Sequence, residues 1–377
     1  MKILLLSEYF YPHWTGIARA FEALAVQLTE EGHSVTVLTT QFKKDLQREE
    51  THNKIHIVRS PYLFKISRTY YSIALLKDAI SLCRNNNIVI INSPNSNILP
   101  LAILGKLMGK RVFIYHQGDL TLPRQTGPRV INSVLECIFD IMTIPAMALA
   151  NGVSTYTADY AKNSRVMRFF MNKFHPYIPT LSLSTKKPDV QFQKKITGLK
   201  KEYKLVGFAG RFVEEKGFDI LFRAIPQVIK EIPNTKFVFA GQIEIDYEPF
   251  FEKNKALIES VKEHVIFLGL LEEAELAEFY RNLDVFIISS RSDCFPLTQM
   301  EAARSGISVV VTDIPGARML VKETGCGIIV KSEDPESLAK GIIEILRDTS
   351  FWPSETRSRI FSKVTKFFKT YETFFLG

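Results

Sequence analysis

The chain has 377 residues, 46% of them hydrophobic and 23% charged, a balance that suits two globular domains and excludes a disordered or collagen-like chain. Its four cysteines (Cys83, Cys137, Cys294, Cys326) lie far apart with no CxxC or Cys/His pairing, which argues against a disulfide framework or a structural zinc site and fits a reducing compartment. The net charge of +8 is uneven: residues 1–180 carry +8, 181–204 carry +5 and 205–377 carry −5. A basic front half that meets an anionic partner, nucleic acid or an anionic membrane surface, is one reading, and plain solubility charge is the other.

Residues 1–8 (MKILLLSE) are apolar for only four positions, short for the apolar core of a signal peptide, so they read as a first strand. A polar, aromatic loop runs to Gly16. Ala18, Phe21, Leu24, Ala25 and Leu28 then recur at helical spacing, Gly32 stops the helix, and residues 34–38 (SVTVL) resume as strand. Further strand-like runs follow at 88–91, 111–115 and 153–156. The apolar stretch 130–150 is broken by Asn132, Glu136, Asp140 and Pro145. A spanning helix needs about 20 predominantly apolar residues, so no membrane span is expected there.

Lysines with Pro176, Pro179 and Pro188 mark a hinge at 181–203. The front pattern then repeats: strand 205–209, a loop from Gly210 to Gly217, and a helix with Ile220, Leu221, Ala224, Ile225 and Val228 on one face. Strands follow at 236–240, 265–268, Val285–Ile288, 308–311 and Gly327–Val330. Strands alternating with helices imply parallel sheets covered on both faces. The expected fold is α/β, with two doubly wound Rossmann-like domains facing across a cleft: an N-terminal domain over 1–180, a hinge over 181–203 and a C-terminal domain over 204–350. The aromatic, basic segment 351–377 is expected to be a final helix packing back on the N-terminal domain. Ligands in such folds bind at the carboxyl ends of the strands.

Two loops at such ends carry chemistry. In GRFVEEKG (210–217) Arg211 offers a planar fork and Lys216 a mobile charge for phosphate oxygens, while glycine lets backbone approach closely. The segment lacks GxGxxG and the GK[ST] ending of a P-loop, and an ordinary charged surface loop is the alternative. In SRSDCFPLTQMEAARSG (290–306) a short helix over Leu297–Arg304 would aim backbone N–H groups of about 296–299 at an anion. Asp293 and Glu301 then suit sugar hydroxyls better than phosphate. Their plain alternatives are a turn or cap for Asp293 and a solvated glutamate for Glu301. His116, at the carboxyl end of strand 111–115, is either a ligand contact or a satisfied structural histidine.

GRFVEEKG is similar to the GRL-x-x-EKG segment of retaining family 4 glycosyltransferases of the GT-B fold. Asp293-x7-Glu301, continuing as AARSGISVVVTDIPG, resembles their Glu-x7-Glu motif, with Asp293 one methylene shorter than the usual glutamate and Ser308 in place of a proline. PHWTGIAR (12–19) resembles the proline-to-Gly-Gly loop with one glycine, Gly16, and YHQGD (115–119) resembles the segment carrying the family's histidine. The resemblance covers nearly the whole chain. It implies that Arg211 and Lys216 clamp a donor diphosphate and Glu301 holds the ribose. Asp293 and the backbone of Phe295, Pro296 and Leu297, with Thr298 beside them, would meet the transferred sugar. His116 would hydrogen-bond that sugar, Gly16 would let a helix start approach the phosphate, and the base would rest near Gly241 and Leu270.

The implied activity is a hexosyltransferase-type glycosyltransferase, retaining and metal-independent. It would move a sugar from a nucleotide-diphospho-sugar to a glycan or lipid-linked acceptor in cell-envelope or polysaccharide biosynthesis. No cofactor is expected, and there is no Asp-x-Asp metal motif. Attack on the donor's front face needs no protein nucleophile, because fixed cations and helix N–H groups meet the charge growing on the leaving diphosphate. A sugar-nucleotide epimerase would need an acid/base constellation that the sequence does not display. An inactive member that binds another transferase is the alternative, and nucleic-acid binding has no supporting motif. Residues 60–77 interleave Tyr62, Leu63, Phe64, Ile66, Tyr70 and Tyr71 with Lys65, Arg68 and Lys77. That pattern suits a headgroup layer, or alternatively a covered packing surface. The expected location is cytoplasmic, peripheral at the inner face of the cell membrane.

Overall fold

The strand β1 (Lys2–Leu6) is buried from Ile3 onward on both faces, the condition of a central parallel strand with helices above and below. The computed structural model describes residues 1–13, 15–66, 69–180, 184–245, 247–347 and 354–376; the side chains of 65, 66, 69, 71 and 354–358 also lie outside the description. The chain divides into two units. The first contains Met1–Leu120, Ser133–Leu181 and Tyr371–Gly377, the second Thr121–Asn132 and Ser182–Thr370.

In the first unit β1 is followed by β2 (Ser34–Thr40), β3 (Glu49–His52), β4 (Ile55–Ser60), a two-stranded hairpin of β5 (Phe64–Ile66) and β6 (Thr69–Tyr71), then β7 (Ile88–Ser93), β8 (Arg111–His116), β9 (Gly152–Thr155) and β10 (Phe174–Pro176). The eight-stranded sheet has the order β10-β9-β8-β7-β1-β2-β4-β3, parallel except where β3 runs against β4. Leu5 sits opposite Val37 on one side and Ile90 on the other.

The helices of this unit include α1 (Gly16–Glu30), α2 (Ile73–Asn85), α3 (Ile98–Leu107) and α4 (Arg129–Leu149). The Thr15 side chain caps α1 by accepting from the Ala18 N–H, and Ser72 caps α2 through the Leu75 N–H. Leu4, Leu6, Val89, Ile91, Val112 and Ile114 share one sheet face with Leu75 and Ala79 of α2, Leu101 of α3 and Ala146 and Met147 of α4, so these three helices cover the same face. By length and composition alone α4 could cross a membrane. Its carboxyl end is instead part of the core, where Ala146 and Met147 are fully buried.

The second unit is a six-stranded, all-parallel sheet of β11 (Lys204–Ala209), β12 (Thr235–Ala240), β13 (Val265–Gly269), β14 (Val285–Ile288), β15 (Ser308–Thr312) and β16 (Gly327–Val330), in the order β13-β12-β11-β14-β15-β16. One face is filled by Phe208, Phe218, Phe222 and Phe239 under the helices Phe218–Glu231 and Pro335–Arg347. Such a face has the aromatic density that stabilises a core beyond simple area burial.

Two boundaries differ from expectation. The helix Val190–Glu202 occupies most of the expected hinge and belongs to the second unit, with Asp189 as its cap and Ile196 buried beneath it. Residues 181–183 of that hinge lie outside the described part. The final helix, Ser354–Tyr371, groups with the second unit up to Thr370, and Phe367 stacks near Phe295 with ring centroids 6.2 Å apart. Only the tail beyond it joins the first unit, where the Ile178 N–H donates to the Tyr371 carbonyl and Phe374 packs on Tyr115 and Tyr177. In 60–77, Tyr70 is buried between Tyr9 and Tyr62, whereas Leu63 and Phe64 are exposed. Arg68 and the side chains of Lys65, Ile66 and Tyr71 lie outside the described residues.

Candidate functional site

In the second unit the two chemistry-bearing loops are joined at the carboxyl ends of β11 and β14. Gly217 takes a left-handed conformation (φ +66°), and a Cβ there would lie 2.0 Å from the Ser289 carbonyl oxygen. The Ser289 hydroxyl donates to the Lys216 carbonyl at 2.8 Å, and the Arg291 N–H donates to the Glu215 carbonyl, also at 2.8 Å. Beneath this junction Arg291 makes a bidentate pair with buried Asp219, both N···O distances being 2.8 Å. A fork-to-fork pair of this kind fixes the angle of one loop against the other.

The result is that Lys216 Nζ lies 2.5 Å from Asp293 Oδ2. Burial works against the charged amine, but Asp293 and then Glu215 outweigh it and raise the lysine above its ordinary value. Lys216 is therefore a fixed cation at neutral pH. Arg211 donates to the Tyr247 hydroxyl and lies 3.6 Å from Glu215. The helix Leu297–Arg304 begins after Pro296 with no side-chain cap, so its first N–H groups are the orphan donors of a helix start. Phe295 is buried in the approach to it.

Glu301 is buried and accepts a hydrogen bond from the Tyr280 hydroxyl at 2.8 Å. Its carboxylate is thus oriented rather than solvated, which removes the plain reading of an exposed helix glutamate. Burial first, then Asp293, push the Cys294 thiol well above its ordinary value, so it is not a thiolate nucleophile at neutral pH. Gly241 (φ +131°) lets its strand end pass Gly210, whose carbonyl a Cβ would meet at 2.2 Å. Leu270 is exposed just past β13.

In the first unit His116 ends β8 and is buried. Its Nδ1 lies 3.0 Å from the Ser93 hydroxyl and its Nε2 3.0 Å from Asp119 Oδ1. Asp119 also accepts from the Ser164 hydroxyl and the Arg165 N–H, each at 2.7 Å. Burial alone would raise Asp119, but the bond and charge of His116, then Ser164 and Arg165, hold it at about 2. The imidazole is consequently oriented on both nitrogens. Gly16 opens α1, and a Cβ there would meet no atom within 4 Å, so packing within the chain does not call for glycine at this position.

Asp119, Tyr280 and Asp219 escaped the sequence reading. Asp119 stood in plain view three residues after His116; the other two lie on separate helices, and no spacing links them to their partners. Glu8, at the end of β1, is another: it is buried, accepts from the Tyr70 N–H at 2.7 Å, and is pushed to about 7 by burial against the opposing backbone bonds of Tyr70 and Ser96.

Residues 189–366 match the family described as Glycosyl transferases group 1, and residues 14–164 match Glycosyltransferase Family 4. Over 185 residues the chain is 30% identical to an uncharacterized glycosyltransferase of Methanocaldococcus jannaschii, a match that spans 49% of this chain and only 46% of that protein. Over 364 residues it is 25% identical to the alpha-monoglucosyldiacylglycerol synthase of Streptococcus pneumoniae, covering 92% of this chain and 78% of the relative. Among solved structures, HepE of Anabaena in complex with UDP-glucose superposes with a TM-score of 0.74 at 14% identity, covering 99% of this chain and 96% of that one. At that identity the likeness speaks for the fold, two Rossmann-like units of the GT-B type.

Proposed function

We propose, for a chain that belongs to the family 4 glycosyltransferases of the GT-B fold, that it moves a hexose from a nucleotide-diphospho-sugar to a glycan or lipid-linked acceptor in envelope or polysaccharide biosynthesis, with retention of configuration. The observation that carries this reading is the meeting, within the second unit, of Lys216 from one loop with Asp293 from the other, 2.5 Å apart and just ahead of an uncapped helix start. A cation and helix N–H groups suit a leaving diphosphate, and neighbouring carboxylates suit hydroxyls.

Arg211 and Lys216 take the diphosphate, Glu301 the ribose, and Asp293 with the backbone of Phe295, Pro296 and Leu297 the sugar. His116 meets the sugar only by exchanging its bond to Asp119 or Ser93 for a sugar hydroxyl, and Gly16 admits a phosphate oxygen. Side-chain cations and N–H groups stand in for a metal, so activity persists in excess EDTA. The protein works at the inner face of the cell membrane, with Leu63, Phe64 and Lys77 of residues 60–77 contributing to its contact. A relative named for making a glucosyl-diacylglycerol supports an acceptor of lipid type.

A thermal-shift and donor-hydrolysis screen of UDP-, GDP- and ADP-sugars tests the proposal, since a ligand bound only by the folded state raises stability by RT ln(1 + [L]/Kd). A donor found there is then used to read the anomeric configuration of the product by NMR. An inverted product, or no stabilisation by any nucleotide sugar, overturns the reading. Stabilisation without transfer or hydrolysis leaves the inactive binding partner.

A further inference from the structure

Helix α4 is built with its polarity reversed. Between Val134 and Thr143, Glu136 and Thr143 are 6% and 4% exposed, whereas Val134, Ile138 and Ile141 are 53%, 49% and 62% exposed. The inward polar groups have partners: Asp140 takes a bidentate pair from Arg165 at 2.7 and 3.2 Å, and Glu136 is likewise engaged. An ordinary surface helix turns its apolar stripe to the core and its charges to water. Here the side chains at 134, 138 and 141, spaced four and three apart, form an outward apolar stripe with the exposed Cys137 among them.

The neighbouring helices on the same sheet face extend the pattern. Ile103 and Leu107 of α3 and Ile73 of α2 are also exposed. Lys77 and Arg84 of α2 and Lys106 of α3 are exposed as well. The acids of the three helices are Asp78, Glu136 and Asp140, and none is exposed: Asp78 is tied to Arg48 and Ser60, and the other two face inward. The outer surface of this layer is therefore apolar and cationic, with no exposed carboxylate.

We propose that the outer surface of α2, α3 and α4 is a docking face for an anionic lipid bilayer, into which the Val134–Ile138–Ile141 stripe inserts while Lys77, Arg84 and Lys106 meet lipid phosphates. Charge complementarity selects this occupant. A second copy of the chain would bring the same cations against themselves with no acid to answer them. A span is disfavoured because α4 is held along the sheet by Ala146, Met147 and the Asp140–Arg165 pair, so it lies in the interface, about 5–10 Å deep into the headgroup boundary. This deepens the reading of a lipid-type acceptor. Vesicle binding needs neither donor nor acceptor, so it can fail while sugar transfer stands.

The experiment uses the full chain and two vesicle preparations, phosphatidylcholine alone and an equimolar mixture with phosphatidylglycerol. Flotation with the anionic vesicles, weakened by salt, is expected, together with a blue shift of an environment-sensitive dye placed on Cys137. Ile138→Asp with Ile141→Asp should lower partition at least about tenfold, since each replaces an inserting side chain by a charge. Both side chains are largely exposed, so thermal unfolding of the variant should match the parent, and the dye on the parent protein gives a reading independent of the substitutions. Equal flotation of parent and variant, or no dye shift on anionic vesicles, overturns the proposal. So does a parent that forms a dimer in solution, does not float, and loses the dimer in the variant.

Discussion

Lys216 and Asp293 hold each other through a 2.5 Å contact between Nζ and Oδ2, and this pair joins the loop after β11 to the loop after β14. Under the proposed function, Lys216 is thus already partnered by a carboxylate that a phosphate would repel. The pair keeps the ammonium extended and charged, and a diphosphate bound as proposed would compete with Asp293 for it.

The first prediction follows from that competition. Lys216→Ala and Arg211→Ala should each lower transfer by on the order of 10²-fold, because each removes a positive charge proposed to stabilise the leaving diphosphate. Asp293→Asn should move binding and rate in opposite directions: nucleoside diphosphate binds several-fold tighter as the repulsion disappears, while transfer falls. Isothermal titration with the diphosphate alongside rate measurements checks this. Weaker binding of the diphosphate by Asp293→Asn would show that the carboxylate orients Lys216 more than it opposes the ligand.

Gly217 carries the second. Its φ of +66° and the 2.0 Å that a Cβ would leave to the Ser289 carbonyl oxygen combine two costs at the same junction. Gly217→Ala should destabilise the second unit by roughly 1–3 kcal/mol and displace Lys216 from Asp293. Denaturant unfolding followed by Phe and Tyr signals, with diphosphate affinity as a second readout, measures both. An unchanged midpoint would contradict the close approach.

The third concerns Asp119, lowered from 3.8 to about 2 by His116, Ser164 and the Arg165 N–H against its burial. A depressed carboxylate contributes stability that is present above the unfolded value and lost as pH falls through the folded one. For this shift the contribution is ~2 kcal/mol, present above about pH 4 and lost towards pH 2. Asp119→Asn should therefore lower Tm at pH 7, with the gap to the parent closing below about pH 4. A gap of constant size across that range would mean that lost packing, not charge, is responsible.

What could be read in advance and what could not divides along physical lines. Parallel strands such as Val285–Ile288 and Gly327–Val330 announce themselves by short apolar runs rich in Val and Ile, and the helix Leu297–Arg304 is bounded by Pro296 and Gly306; all three coincide with the structure. The strand β10 has three residues ending in Pro176, too few for any pattern. The β3–β4 hairpin turns on Asn53 and Lys54, at φ +50° and +62°, without the glycine that usually marks such a turn. In the site, the acidic and basic residues of each motif were legible because spacing along one loop sets them. Tyr280 on Glu301 and Arg291 on Asp219 were not, since only the tertiary fold brings those segments together. Sequence alone also cannot say which stripe of α4 faces inward, because Asn132, Glu136 and Asp140 look like the solvent side until Asn132 is seen bonded to the Pro123 carbonyl and Asp140 to Arg165.

The fourth prediction rests on Glu8, whose folded value of about 7 stands above its ordinary 4.5. Burial is the larger cause, and the hydrogen bonds from the Tyr70 and Ser96 N–H groups offset only part of it. Between those two values the folded protein keeps a proton that the unfolded chain has released. Stability linked to this group is therefore full below about pH 4.5 and declines as pH rises through about 7, by ~3 kcal/mol in total. Glu8→Gln retains a carbonyl oxygen for the Tyr70 N–H and abolishes the titration. It should match the parent at pH 5 and exceed it at pH 8, with Tm measured at both. Glu8→Leu removes the acceptor as well and should loosen the β5–β6 hairpin at either pH, seen as faster amide exchange at Tyr70. If Glu8→Gln shifts Tm equally at pH 5 and pH 8, Glu8 is ionised in the folded protein across that range and carries no linked stability.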